Sequence, residues 1–165
     1  MASKNGYYSP TLGSLSVENM VKEISGFVVE DPESFYRLVI GTDSQVKRVN
    51  GQAECDYITA IVVHRIGKGA RYFWSKEVME QPKALRNKIY NETIKSLDTA
   101  HKLVPDIQKA ISPSHYDFEI HIDVGPKGPT RDMIKEVVGM VTGNGFTAKT
   151  KPESWAASSV ADKHT

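Results

Sequence analysis

Tyr36-Arg37-Leu38-Val39-Ile40-Gly41-Thr42-Asp43-Ser44-Gln45 is the stretch that decides the fold of this chain. Leu38 to Ile40 is an apolar run that reads as a strand buried on both faces, and small polar residues close it after Gly41. Asp43 is therefore expected at a strand tip, with core on one side and solvent on the other. A second stretch, Phe118-Glu119-Ile120-His121-Ile122-Asp123-Val124-Gly125, ends in the same way. Ligands of α/β sheets bind just beyond such strand ends, so the two aspartates are expected side by side.

Working outward, residues 1–15 are polar, contain Gly6, Pro10 and Gly13, and read as an irregular lead-in to a single domain over 16–165. Ser16 can cap a helix whose apolar face is Val17, Met20, Val21, Ile24, Phe27 and Val28, and Asp31-Pro32 ends it. The first strand covers about 36–43. Asn50-Gly51 is a hairpin signal, followed by a second strand over about 53–66 and, after Gly67-Lys68-Gly69, a third over about 71–78. Pro82 opens a long helix, about 83–104, with Pro105 as its stop and a short helix possible at 106–111. The fourth strand is 117–124. A helix carrying Met133, Ile134, Val137, Val138, Met140 and Val141 follows, ended by Gly143-Asn144-Gly145. The fifth strand is 146–150, and a capping box at Thr150-Lys151-Pro152-Glu153 leads into a last helix, 154–163. The order predicts an α/β fold: a five-stranded mixed sheet, its first three strands antiparallel and its last two parallel to the first, flanked by helices.

Composition narrows the class. The 165 residues are 39% hydrophobic and 25% charged, with a formal net charge of +1, so nucleic acid would have to be bound by a local basic patch. One cysteine, Cys55, excludes an internal disulfide and a thiolate zinc site. No apolar run is long enough to span a membrane and the first residues lack a signal core, which predicts a cytoplasmic protein without membrane contact. Monomer and homodimer are both open.

Four acids fall at telling places. Asp43 and Asp123 end strands; Glu92 interrupts the apolar stripe of the long helix; Asp162 lies on the last helix, on a stripe with Trp155 and Ser159. A carboxylate on an apolar stripe is costly unless paired or bound to metal, and converging carboxylates repel. Hard oxygen donors favour Mg²⁺ or Mn²⁺. Two such ions roughly 4 Å apart can activate a water and stabilise a leaving oxygen in phosphoryl transfer. The plain alternative for Asp43 and Asp123 is a turn residue after a strand, and for Glu92 an edge position reaching solvent. For Asp162 it is a residue in a fraying terminus.

The order of elements and acids resembles the ribonuclease H-like superfamily. Ile40-Gly41-Thr42-Asp43-Ser44-Gln45 and Ser154-Trp155-Ala156-Ala157-Ser158-Ser159-Val160-Ala161-Asp162-Lys163-His164 resemble the YkuK-like family within it. The resemblance implies Mg²⁺- or Mn²⁺-dependent cleavage of nucleic-acid phosphodiesters, leaving 5′-phosphate and 3′-hydroxyl ends. Asp43 then carries over as the bridging ligand, Asp123 as the second strand ligand and Asp162 as the terminal-helix ligand. Glu92 lies deeper in its helix than the superfamily's usual acid, with Glu77 and Glu80 as alternatives. Substrate contacts are sought at Ser44 and Gln45 beside Asp43, at Lys127 and Arg131 in the loop before a helix, at Lys151, and at His164. His121 reads as a half-buried strand histidine or a hydrogen-bonding member of the acid cluster. The rival readings are a binding module of the same fold without catalysis and, last, a phosphotransferase-like nucleotide site.

Overall fold

The computed structural model describes residues 6–112 and 116–154. The elements are β1 (Tyr7–Ser9), β2 (Gly13–Leu15), α1 (Val17–Glu30), β3 (Tyr36–Val49), β4 (Gln52–Arg65), β5 (Ala70–Glu80), α2 (Leu85–Ala110), β6 (Tyr116–His121), α3 (Ile134–Gly143) and β7 (Thr147–Lys149). A 3₁₀ turn, Arg131–Met133, leads into α3. The strands form one sheet in the order β2-β1-β5-β4-β3-β6-β7. β3, β4 and β5 are an antiparallel meander, while β6 is parallel to β3 and β7 parallel to β6. This is the mixed sheet expected from the sequence, with two strands added. Among the described residues no helix is long and apolar enough to cross a membrane.

The main core joins Met20, Ile24 and Phe27 of α1 and Leu97, Ala100 and Leu103 of α2 to Leu38, Ile40, Ile61, Val63 and Ile120 on one face of the sheet. Val39, Ala60 and Val62, with Tyr72 beside them, form a smaller cluster on the other face. Leu38 and Val39 thus serve opposite faces, as a strand buried on both sides requires. Ser16 caps α1 as anticipated, its hydroxyl accepting from the Asn19 N–H at 3.1 Å.

The two added strands lie in the stretch expected to be irregular. Tyr8 pairs with Trp74 of β5 and stacks on it with ring centroids 4.8 Å apart. The aromatic contact recruits a segment too short to show periodicity and covers the edge of β5.

A second difference concerns Asp43, which is not at the end of its strand. β3 continues to Val49 and turns back through Asn50 and Gly51, both at positive φ (52° and 80°), as a tight hairpin turn needs. The extension is polar, so it reads as a strand end, but cross-strand charges hold it. The buried Asp56 carboxylate takes Lys47 at 2.9 Å and Lys76 at 3.2 Å.

The third is α2, which runs through Pro105 instead of stopping there. Leu103, Ile107 and Ile111 are all buried on one stripe across the proline, and their burial outweighs one lost ladder bond to the carbonyl of His101. The last helix expected from the sequence falls, from residue 155 on, outside the described residues.

Replacing Pro105 restores the missing donor without disturbing the stripe. Pro105→Ala is expected to raise the unfolding free energy by about 1–3 kcal/mol, read from urea denaturation; an unchanged or lower midpoint would show that the proline is needed where it stands.

Candidate acid site beside the parallel strands

The parallel ladder between β3 and β6 ends at the pair Gly41 and His121. Beyond it the strands part. β3 stays with β4, where Asp43 pairs with Ile58, and β6 gives way to the segment Ile122 to Gly125. Asp43 lies two residues past Gly41, and Asp123 two past His121. Continuing the register would set the two aspartates level with each other, at the mouth of the crevice.

α2 brings the third acid. Small hydroxyls let the helix lie close to β3: Thr42 Oγ1 is 2.8 Å from Ser96 Oγ and 3.0 Å from Thr59 Oγ1. One turn before Ser96, the Ser44 hydroxyl donates a hydrogen bond to the Glu92 carboxylate. Glu92 is only 3% exposed. Its carboxyl is raised to about 8, mainly by burial; the Ser44 bond and Lys88, 3.9 Å away, oppose the rise, and the charges of Asp43 and Asp123 add to it. Glu92 is thus within electrostatic reach of both strand acids.

Asp43 is partly buried, and one carboxylate oxygen accepts from the Ser44 N–H at 2.9 Å. Asp123 meets Lys151, whose ammonium is 2.8 Å from Oδ1. That contact raises the lysine above its ordinary value, and Asp43 and Glu92 add to the effect. The backbone fixes this meeting: the Ile122 N–H donates to Lys149 O at 2.9 Å and the Lys151 N–H to Val124 O at 2.8 Å. Gly125 makes room, since a Cβ there would lie 3.0 Å from the Lys151 Cβ.

The donor set suits a hard divalent cation chemically: three carboxylates from three elements, the most buried of them destabilised as an anion by the other two. They are not drawn into one cage. Among the described residues no group of three or more His, Cys, Asp or Glu side chains is close enough to hold a metal ion, and Asp123 is engaged by Lys151 instead.

The remaining sequence candidates are placed as follows. Gln45, Lys127 and Arg131 are exposed. Arg131 is the first residue of a three-residue 3₁₀ turn rather than of α3 itself. Glu77 pairs with Lys95 and is mostly exposed, and Glu80 is exposed at the end of β5. Asp162 and His164 lie outside the described residues. His121 is buried, with Nε2 3.0 Å from Glu119 Oε1, and burial holds its imidazole below the ordinary value. Glu119 also faces Arg37 at 3.4 Å. Two contacts had no sequence signal, Ser44 with Glu92 and Lys151 with Asp123, because each spans elements distant in the chain.

Residues 19–165 match the family described as Ribonuclease H-like. The chain belongs to the ribonuclease H-like family. Among curated proteins, "Uncharacterized protein YkuK" of Bacillus subtilis (strain 168) is 36% identical over 175 aligned residues, covering 100% of this chain and 99% of that protein. No solved structure matches. The ribonuclease H-like assignment agrees with the mixed sheet and with the meander that begins it.

Glu92 makes the stability of this ribonuclease H-like chain depend on pH. Its folded value, about 8, lies above the ordinary 4.5, so between those values the folded state holds the proton that the unfolded state has lost. Without added metal, stability is expected to fall as pH rises from about 4.5 to about 8, by at most about 1.4 kcal/mol per pH unit. Glu92→Gln should flatten that slope in thermal melts across the range; an equal slope in the variant would place the effect elsewhere.

Proposed function

We propose that this chain is a divalent-metal-dependent nuclease that hydrolyses phosphodiester bonds of nucleic acid. Its membership of the ribonuclease H-like family supports a nucleic-acid-related module, and the resemblance implies divalent-metal chemistry. The observation that carries the catalytic reading is Glu92: a buried acid on α2, held by Ser44 and raised by both Asp43 and Asp123. A helix stripe gains nothing from such a residue unless a cation offsets its cost.

Asp43, Glu92 and Asp123 would hold Mg²⁺ or Mn²⁺, with Asp162 carried as the fourth ligand by the family resemblance. Bound there, a pair of such ions would supply an activated water and neutralise charge on the phosphate. The chain's own part is positional. Ser44 orients Glu92 through its hydroxyl and Asp43 through its backbone N–H. Gly41 and His121 end the ladder so that backbone can approach from the open side. Lys151, Lys127 and Arg131 offer cations to substrate phosphates, and Gln45 and His164 complete the proposed contacts. A cytoplasmic setting agrees with a chain whose one cysteine can form no internal disulfide.

A second reading is a nucleic-acid-binding module without catalysis, favoured by the engagement of Asp123 with Lys151 and by acids held apart among the described residues. The two readings separate in one assay. With Mn²⁺ or Mg²⁺, the parent should cut single-stranded, duplex or hybrid oligonucleotides to 5′-phosphate products. Asp43→Asn should lower the rate on the order of 10²–10³-fold, the loss of about 3–4 kcal/mol of transition-state stabilisation, with an unchanged circular dichroism spectrum. Binding without cutting in the parent would establish the module instead. Equal cutting by Asp43→Asn would remove Asp43 from the site.

A further inference from the structure

Lys151 occupies a place that its own segment does not explain. It is the second residue after β7, and its side-chain root is pinned next to Asp123 by the Lys151 N–H to Val124 O bond. Its stem lies over Gly125, where even one added methyl would crowd it. Its ammonium contacts Asp123 directly and is within electrostatic reach of Asp43 and Glu92. Acids from β3, α2 and the segment after β6 therefore all feel this ammonium, while Lys88 stands 3.9 Å from Glu92 alone. The neighbouring Lys149 is turned to another partner, Glu153 at 3.7 Å. The Lys151 side chain is 57% exposed, so the head can leave the acids for solvent without unpacking anything.

We propose that Lys151 is the resident counter-ion of the acid site: it holds Asp123 while no metal is bound, is released when a divalent cation enters, and then grips a backbone phosphate of the nucleic acid. This rests on the nuclease reading above and adds a coupling to it. One ammonium and a divalent cation cannot share the Asp123 oxygens without repulsion. Entry of metal therefore costs the lysine contact, and loss of that contact frees a cation whose root stays fixed at the mouth of the crevice. Metal and nucleic acid should then bind with positive coupling, each favouring the state in which Lys151 has left Asp123.

Removing the lysine should move the two affinities in opposite directions, which loss of structure would not do. By calorimetry, Lys151→Ala should bind Mn²⁺ roughly two- to fivefold more tightly than the parent, the range for a partly exposed ion pair. By fluorescence anisotropy with Ca²⁺ present, the same variant should bind a short labelled single-stranded DNA, or RNA of the same sequence, more weakly. The slope of log affinity against log salt should be shallower by about 0.7, one phosphate contact on a single strand. In the parent, Ca²⁺ should strengthen oligonucleotide binding relative to chelator, and this gain should shrink in Lys151→Ala. Lys151→Arg, which keeps the charge, should stay near the parent in both measurements.

Unchanged or weaker Mn²⁺ binding by Lys151→Ala, with the parent binding normally, would overturn the counter-ion role and leave the nuclease reading standing. Tighter Mn²⁺ binding with an unchanged salt slope would overturn the phosphate grip. No Mn²⁺ binding by the parent, with or without the oligonucleotide, would overturn the inference together with the reading on which it rests.

Discussion

The parallel ladder between β3 and β6 is the contact on which the rest depends. It brings Leu38 and Ile40 beside Phe118 and Ile120 in register, and the helices pack on the face those residues share. Because it stops at Gly41 and His121 while β3 runs on with β4, the sheet opens at one defined level. Asp43 and Asp123 fall just beyond that level on their two chains. A one-residue slip of either strand would turn its aspartate to the other face of the sheet, so the register that builds the core also sets the candidate site.

Glu92 is the energetic counterpart of that geometry. Its burial disfavours the charged form, and the two strand acids disfavour it further. The hydroxyls of Thr42, Ser44, Thr59 and Ser96 supply the small polar contacts that let α2 approach β3 closely enough to bury a carboxylate at all. In this fold a structural role for Glu92 would be better served by leucine. On the solvent side the Lys151 ammonium sits 2.8 Å from Asp123, and Lys88 lies 3.9 Å from Glu92.

Much of this was legible in the chain. Apolar runs at Leu38–Ile40 and Ile58–Val63, the Asn50-Gly51 turn and the helical spacing of Met20, Ile24 and Phe27 gave the meander, the crossover and the packed face. Local signals failed where a distant partner decides. Ser44 to Val49 reads as a strand end because it is polar, yet Asp56 holds it through Lys47 and Lys76. Residues 7–15 carry no period, and Trp74 draws Tyr8 into the sheet. Pro105 signals a stop, and the stripe through Ile107 and Ile111 overrides it. Asp43 was visible as a candidate because it follows a buried strand run, and Glu92 because an acid on an apolar helix stripe is costly. The pairing of Lys151 with Asp123 was not, since it depends on where β7 returns beside the end of β6.

The central claim is that cations gather where β3, β6 and α2 meet. Paramagnetic line broadening by Mn²⁺ in an amide-resolved NMR spectrum tests it most directly. At substoichiometric Mn²⁺, the signals of Asp43, Ser44, Glu92 and Asp123 should vanish first, while those of Arg71 and Arg48, on other parts of the sheet, persist. Broadening centred on Asp56 of β4 or on the acidic residues of α1, with the signals around Asp43 and Asp123 intact, would contradict a metal site at the parting of the parallel strands.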